Sequence, residues 1–293
     1  MRLSAVILPW QRWGEARSTW ERADDFGLHA AYTYDHLSWR NFRERSWFTM
    51  VPTLVAAAQV TRSIRLGPLV TSPNFRHPLL LAKDLLAIDD VSNGRLTIGV
   101  GSGGTGYDAT VLGEAPWSVA QRHRRFVEFT RTLDTLLREP ASTVEGTYYP
   151  VVESRQLPGP VQAPRPPLFL SALGPKSMAL CAEVADGWIS LTPPAGDSSP
   201  FELLARQVEF MDERLAEIGR DRGSLERVYL DFESAERPLS SYDAFIEWAA
   251  RLRELVFNEA VVHWPVADSQ FESDPQVFER IATEGREALH EWS

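Results

Sequence analysis

The sequence predicts an α/β chain folded as one (β/α)8 barrel, with an insertion before its fifth strand. Three observations carry that prediction. Eight short apolar runs, each too short for a helix, recur along the chain, and eight segments with helical spacing separate and follow them. The runs are near-continuously apolar instead of alternating with polar residues, which marks a parallel sheet covered on both faces. The length, 293 residues, is close to the roughly 250 of such a barrel, so a single domain over 1–293 suffices.

In order, the strand segments are Leu3 to Leu8, Ala30 to Tyr34, Ile64 to Val70, Leu96 to Gly101, Leu168 to Ser171, Gly187 to Leu191, Val228 to Phe232 and Ala260 to Trp264. Each is rich in Val, Ile, Leu, Phe or Trp, the residues that fit a pleated, buried surface. The helices fall at Glu15 to Phe26, Met50 to Thr61, Leu79 to Asp90, Val119 to Arg138, Lys176 to Ala185, Phe201 to Ile218, Tyr242 to Leu255 and Pro275 to Glu291. Two stretches break the rhythm. Glu139 to Pro167 is proline-rich and contains Val144 to Tyr149, which reads as a small hairpin. Thr192 to Pro200, with three prolines and Gly196, reads as an ordered loop over the barrel mouth.

A net charge of −10 and a pI near 5.2 argue against a nucleic-acid partner, because wrapping a phosphate backbone takes clustered Lys and Arg. A small-molecule substrate fits better. The lone cysteine, Cys181, can form no disulfide within the chain, and no Cys or His spacing suggests a metal site, so a reducing cytoplasm is the expectation. The first apolar run stops at Pro9, too short for a signal peptide or a membrane span. The apolar stretch Met50 to Ala58 suggests a homodimer contact.

A parallel barrel builds its site from the loops at the strand exits. The second strand exits at Tyr34-Asp35-His36, the fourth at Gly99 to Gly106, and the fifth runs through Ala172-Leu173-Gly174-Pro175 into a helix. These segments, with Ile64-Arg65-Leu66-Gly67, Arg76-His77-Pro78, Asp89 to Gly101 and Ala185-Asp186-Gly187-Trp188, resemble the luciferase-like family of flavin- and F420-dependent enzymes. The resemblance covers roughly residues 1 to 190, and through the last third only the strand order supports it. It implies an oxidoreductase using F420, or alternatively an FMN-dependent oxygenase whose separate reductase delivers reduced cofactor.

A hydride-carrying ring needs a flat, mostly apolar slot, with its phosphate tail held by backbone amides or cations near a helix start. Ala172, Leu173 and Gly174, with Lys176 nearby, offer such a start, although a tight turn would read the same way. Gly101, Ser102 and Gly103 permit close approach of ring or tail. The flanking helix and strand do not make them a Rossmann fingerprint. Tyr107 either bonds the tail, covers the ring or simply flanks a helix. His36 is the candidate general acid/base, since an imidazole at a strand exit can exchange a proton near neutral pH. Asp35 either orients it or caps the following turn. In many family members a non-proline cis peptide at the third-strand exit presses on the ring, and the matching pair is Leu69-Val70.

Trp10, Trp39 and Trp264 fall at or just beyond strand exits and read as an apolar substrate pocket or as packing. His263, beside Trp264, should point the opposite way along its strand. One departure matters: F420-dependent sugar-phosphate dehydrogenases of the family carry a glutamate soon after the fourth-strand glycines, where this chain has Gly104-Thr105-Gly106. The readings that remain are F420-dependent hydride transfer, an FMN-dependent monooxygenase, or a flavin-binding protein without turnover.

Overall fold

The computed structural model describes residues 1–191, 200–234 and 236–292. In chain order the first half runs β1 (Arg2–Val6), α1 (Trp13–Asp25), β2 (Ala30–Thr33), α2 (Met50–Val60), β3 (Arg65–Pro68), α3 (Pro78–Val91), β4 (Ile98–Val100) and α4 (Val119–Arg138). A hairpin, β5 (Ala141–Val144) and β6 (Val151–Arg155), follows. The second half runs β7 (Leu168–Ser171), α5 (Pro175–Val184), β8 (Gly187–Leu191), α6 (Pro200–Glu217), β9 (Glu226–Leu230), α7 (Tyr242–Glu254), β10 (Glu259–His263), α8 (Pro275–Arg280) and α9 (Arg286–Glu291).

All eight barrel strands pair in parallel in the order β3-β2-β1-β10-β9-β8-β7-β4. Two isolated bridges, Leu66 with Leu96 and Thr71 with Val100, join β3 to β4 and close the cylinder. Gly67 makes that seam possible, because a methyl there would overlap the Thr97 carbonyl. The expected insertion before the fifth barrel strand is the antiparallel hairpin β5–β6, which lies outside the barrel sheet. The loop expected at 192–200 lies outside the described residues, apart from Pro200.

Strand alternation sorts the apolar residues into two cores. Val6, Tyr32, Phe169, Ile189, Val228 and Val261 point into the barrel. Leu3, Ala31, Leu66, Leu170, Trp188 and Tyr229 point outward against the helices. The apolar face of α2 is part of this outer layer: Met50, Leu54, Ala57 and Ala58 are buried in their own chain, which accounts for the apolar stretch. The last helix is continuous over 275–291 with a wide turn at 281–285, where Gly285 lets it approach Phe245 of α7. Among the described residues no helix is long and apolar enough to cross a membrane.

Candidate active site

The exit of β2 delivers three consecutive side chains to three places. Tyr34 points into the barrel, where its hydroxyl lies 2.7 Å from His263 Nε2. Asp35 is buried on the other side and takes a bidentate ion pair from Arg76, at 2.9 and 2.7 Å, plus a 2.6 Å hydrogen bond from Thr71 Oγ1. Burial works to lower the Arg76 pKa, but the hydrogen bonds and charge of Asp35 outweigh it and hold the guanidinium above its ordinary value. His36 emerges beyond them, half-buried at the barrel mouth.

The group that orients His36 is therefore Asp108, and Asp35 neither orients it nor caps the turn. His36 Nδ1 is hydrogen-bonded to Asp108 Oδ2. The other oxygen, Oδ1, accepts the Leu37 and Ser38 amides at 2.7 and 3.1 Å, which fixes the carboxylate to the loop that carries the histidine. A carboxylate can only accept, so the proton sits on Nδ1 and Nε2 is left free to take or give one. Trp47 Nε1 donates to the His36 carbonyl at 2.8 Å, and Trp39 stands 6.0 Å from the imidazole, ring to ring.

His36 edges a cavity of about 880 Å3, within the range of small-molecule and cofactor sites. One wall is Val70, and the Leu69–Val70 peptide is cis. Beside it lie Gly101, Ser102 and Gly103. A methyl on Gly101 would come within 2.7 Å of the Val70 side chain, and one on Gly103 would collide with Asn74, so only glycine leaves the floor flat. At the far end Leu173, Gly174 and Ser177 bring the start of α5, whose unpaired amides favour an anion. Arg122 of α4 lines the same cavity. It donates to the Gly103 carbonyl at 3.1 Å, while its Nε and the nearby Asn74 Oδ1 are buried without a partner.

Of the residues singled out in the sequence, His36, Trp39, Val70, Gly101, Ser102, Gly103, Tyr107, Leu173 and Gly174 line this one cavity. Tyr107 sits at its exposed rim beneath the Arg43 guanidinium, 4.3 Å from the ring. Leu69 and Ala172 are buried behind the wall, and the Ala172 amide is spent on the Ile189 carbonyl. Lys176 does not line the cavity; the cations that do are Arg40 and Arg122, which sequence reasoning missed.

Two of the three tryptophans lie elsewhere. Trp264 faces the helical shell, stacked 6.0 Å from Phe26 and tilted against Phe278 at 4.8 Å, because alternation gives the inward position on β10 to His263. Trp10 borders a separate shallow pocket with Arg45 and Asp268. His77 caps α3 by accepting the Leu79 amide, and Cys181 is buried on α5, where burial pushes its thiol pKa up. Among the described residues no group of His, Cys, Asp and Glu could hold a metal ion.

Comparison with known proteins identifies the family. An F420-dependent glucose-6-phosphate dehydrogenase of Beutenbergia cavernae is 33% identical over 170 residues, covering 57% of this chain and 49% of the relative, so the chain matches about half of that protein's length. The oxygenase component of a flavin-dependent trigonelline monooxygenase from Acinetobacter baylyi is 26% identical over 86% of this chain and 70% of its own. The crystal structure of the monooxygenase RslO1 from Streptomyces bottropensis superimposes with a TM-score of 0.79 over the full length of both chains, at 20% identity. The family model described as luciferase-like monooxygenase matches residues 2–275, and the chain belongs to that family.

Proposed function

We propose that this chain is an F420-dependent oxidoreductase that passes a hydride to or from a small organic substrate, with His36 Nε2 as the proton acceptor or donor. The observation that carries the proposal is the His36–Asp108 pair at the edge of the cavity. The residues present fit such a cofactor. Val70 and the three glycine-strand residues give a flat apolar slot, and Arg122 with the start of α5 gives an anion site at its end. When bound there, the deazaflavin supplies a ring that takes or gives a hydride.

The chain's own work is positional and protonic. Val70 and Gly101 set the plane of the slot, and Trp39 limits water on the His36 side. For oxidation of an alcohol, His36 Nε2 would accept the hydroxyl proton as the carbonyl forms, and a bound deazaflavin would supply the hydride acceptor. Reduction runs the same transfers backward. Asp108 keeps Nδ1 protonated in both directions and stabilises the imidazolium.

A second reading, an FMN-dependent monooxygenase fed by a separate reductase, is supported by the Acinetobacter relative, whose similarity runs over most of this chain. Titration of the purified chain with F420 and with FMN, followed by fluorescence, separates the two. Micromolar F420 binding with weak FMN binding supports hydride transfer, the reverse preference with oxygen uptake supports the oxygenase, and binding of neither overturns both. Replacing Arg122 with methionine is expected to weaken the bound cofactor by about 10- to 100-fold, since a hydrogen bond to a charged group contributes about 1.5–3 kcal/mol. An unchanged affinity would remove Arg122 from the phosphate end.

A further inference from the structure

The turn that leads from β7 into α5 is held from behind by two side chains. Trp188 of β8 donates its indole N–H to the Ala172 carbonyl at 2.8 Å, and Gln207 of α6 donates Nε2 to the Leu173 carbonyl at 3.3 Å. Both donors are buried, and neither lines the cavity, whereas Leu173 and Gly174 do.

These bonds fix the direction of two peptide planes. In a planar trans peptide the carbonyl and the amide that follows it point opposite ways. With the Ala172 carbonyl drawn to Trp188, the Leu173 N–H faces away from the indole. With the Leu173 carbonyl drawn to Gln207, the Gly174 N–H faces away from α6. Among the described residues the Leu173 amide has no partner, and the Gly174 amide has only Ser177 Oγ, at 3.4 Å, which itself lines the cavity.

The Gln207 carboxamide is oriented in turn. A carbonyl can only accept, so Nε2 must face Leu173 and Oε1 must face away, where Ser190 Oγ donates to it at 2.7 Å. Ser190 is fully buried on β8. Turning the carboxamide over would set its oxygen against the Leu173 oxygen, with no water to relieve the contact.

Gly174 explains why such a hold is needed. Its backbone lies at φ −109° and ψ 158°. A half-turn of the Leu173–Gly174 peptide would carry φ to about +70° with ψ unchanged, a region that is essentially glycine's alone. The turned peptide would aim the Leu173 carbonyl where the Gly174 N–H now points, and a carbonyl oxygen repels a phosphate.

We propose that Gln207, braced by Ser190, is a positioning residue that selects the anion-binding direction of the Leu173–Gly174 peptide. It thereby makes the site prefer a phosphorylated ring cofactor over the same ring without its phosphate. This inference rests on the cofactor reading above.

The test is fluorescence titration of the full chain with two pairs of probes: FMN and riboflavin, then F420 and its phosphate-free deazaflavin core. The parent is expected to prefer the phosphorylated member of at least one pair. Gln207→Met, which keeps the length and loses the donor, should lower that preference by about tenfold, the loss of one hydrogen bond to a charged group, and leave affinity for the phosphate-free ring within about twofold. In a Gly174→Ala background the same substitution should change the preference by less than about twofold, because alanine is excluded from the turned peptide. Alanine fits the present backbone, since its methyl would meet nothing within 4 Å. A parent without phosphate preference, a preference that survives Gln207→Met, an equal loss for both members of a pair, or an undiminished effect in the Gly174→Ala background overturns the proposal alone. A parent that binds none of the four probes overturns the cofactor reading and this inference with it.

Discussion

Substituting His36 with asparagine is expected to lower kcat by about 10²- to 10⁴-fold, the contribution usual for a positioned general acid or base. Asparagine keeps a donor for Asp108 and about the same bulk, but it has no group that exchanges a proton near neutral pH. Affinity for the cofactor should therefore stay close to that of the parent, since the slot residues Val70 and Gly101 are untouched. Asp108→Asn should lower kcat less and move the pH profile, because Asp108 acts through the imidazole. Steady-state rates against pH with the cofactor saturating give both answers. A His36→Asn enzyme with parental kcat would show that the proton travels by another route.

Replacing Arg76 with methionine is expected to cost about 3–5 kcal/mol of folding stability, because it leaves a buried carboxylate without its counter-ion. Asp35 is 1% exposed and keeps only the Thr71 hydroxyl once the guanidinium is gone. Urea denaturation measures the loss directly. Adding Asp35→Asn to the same chain removes the stranded charge and should recover a large part of it. A loss under about 0.5 kcal/mol, the scatter of ordinary surface substitutions, would mean that the carboxylate finds another partner or takes up a proton.

The barrel was legible because burial on both faces leaves strands with little polar interruption, and helix boundaries such as Val119–Arg138 follow from the return of helical spacing. Strand exits were also legible, so His36, Val70 and Gly101 to Gly103 were found. What could not be read were partners distant in the chain. Asp108 lies 72 residues from His36, in a loop whose composition looks like any solvated turn, and nothing local ties it to an imidazole. Arg122 sits in the basic run Arg122, Arg124, Arg125 of an amphipathic helix, where one inward-reaching guanidinium resembles its solvated neighbours. Trp264 misled for a different reason. Its position beyond the last strand suggested the mouth, but alternation gives the inward places to Glu259, Val261 and His263, and a tryptophan at the next residue must face the helices.

The joint between β3 and β4 has a thermodynamic consequence. Elsewhere neighbouring strands share a run of paired residues, but here the cylinder is held by two separate bridges and by amides such as Thr97 to the Leu66 carbonyl and Gly101 to the Thr71 carbonyl. Val70 and Gly101, which touch each other across that joint, both line the cavity. A molecule resting on both acts as a clasp across the least continuous part of the sheet. Its binding free energy is thereby added to the work needed to open the ring of strands.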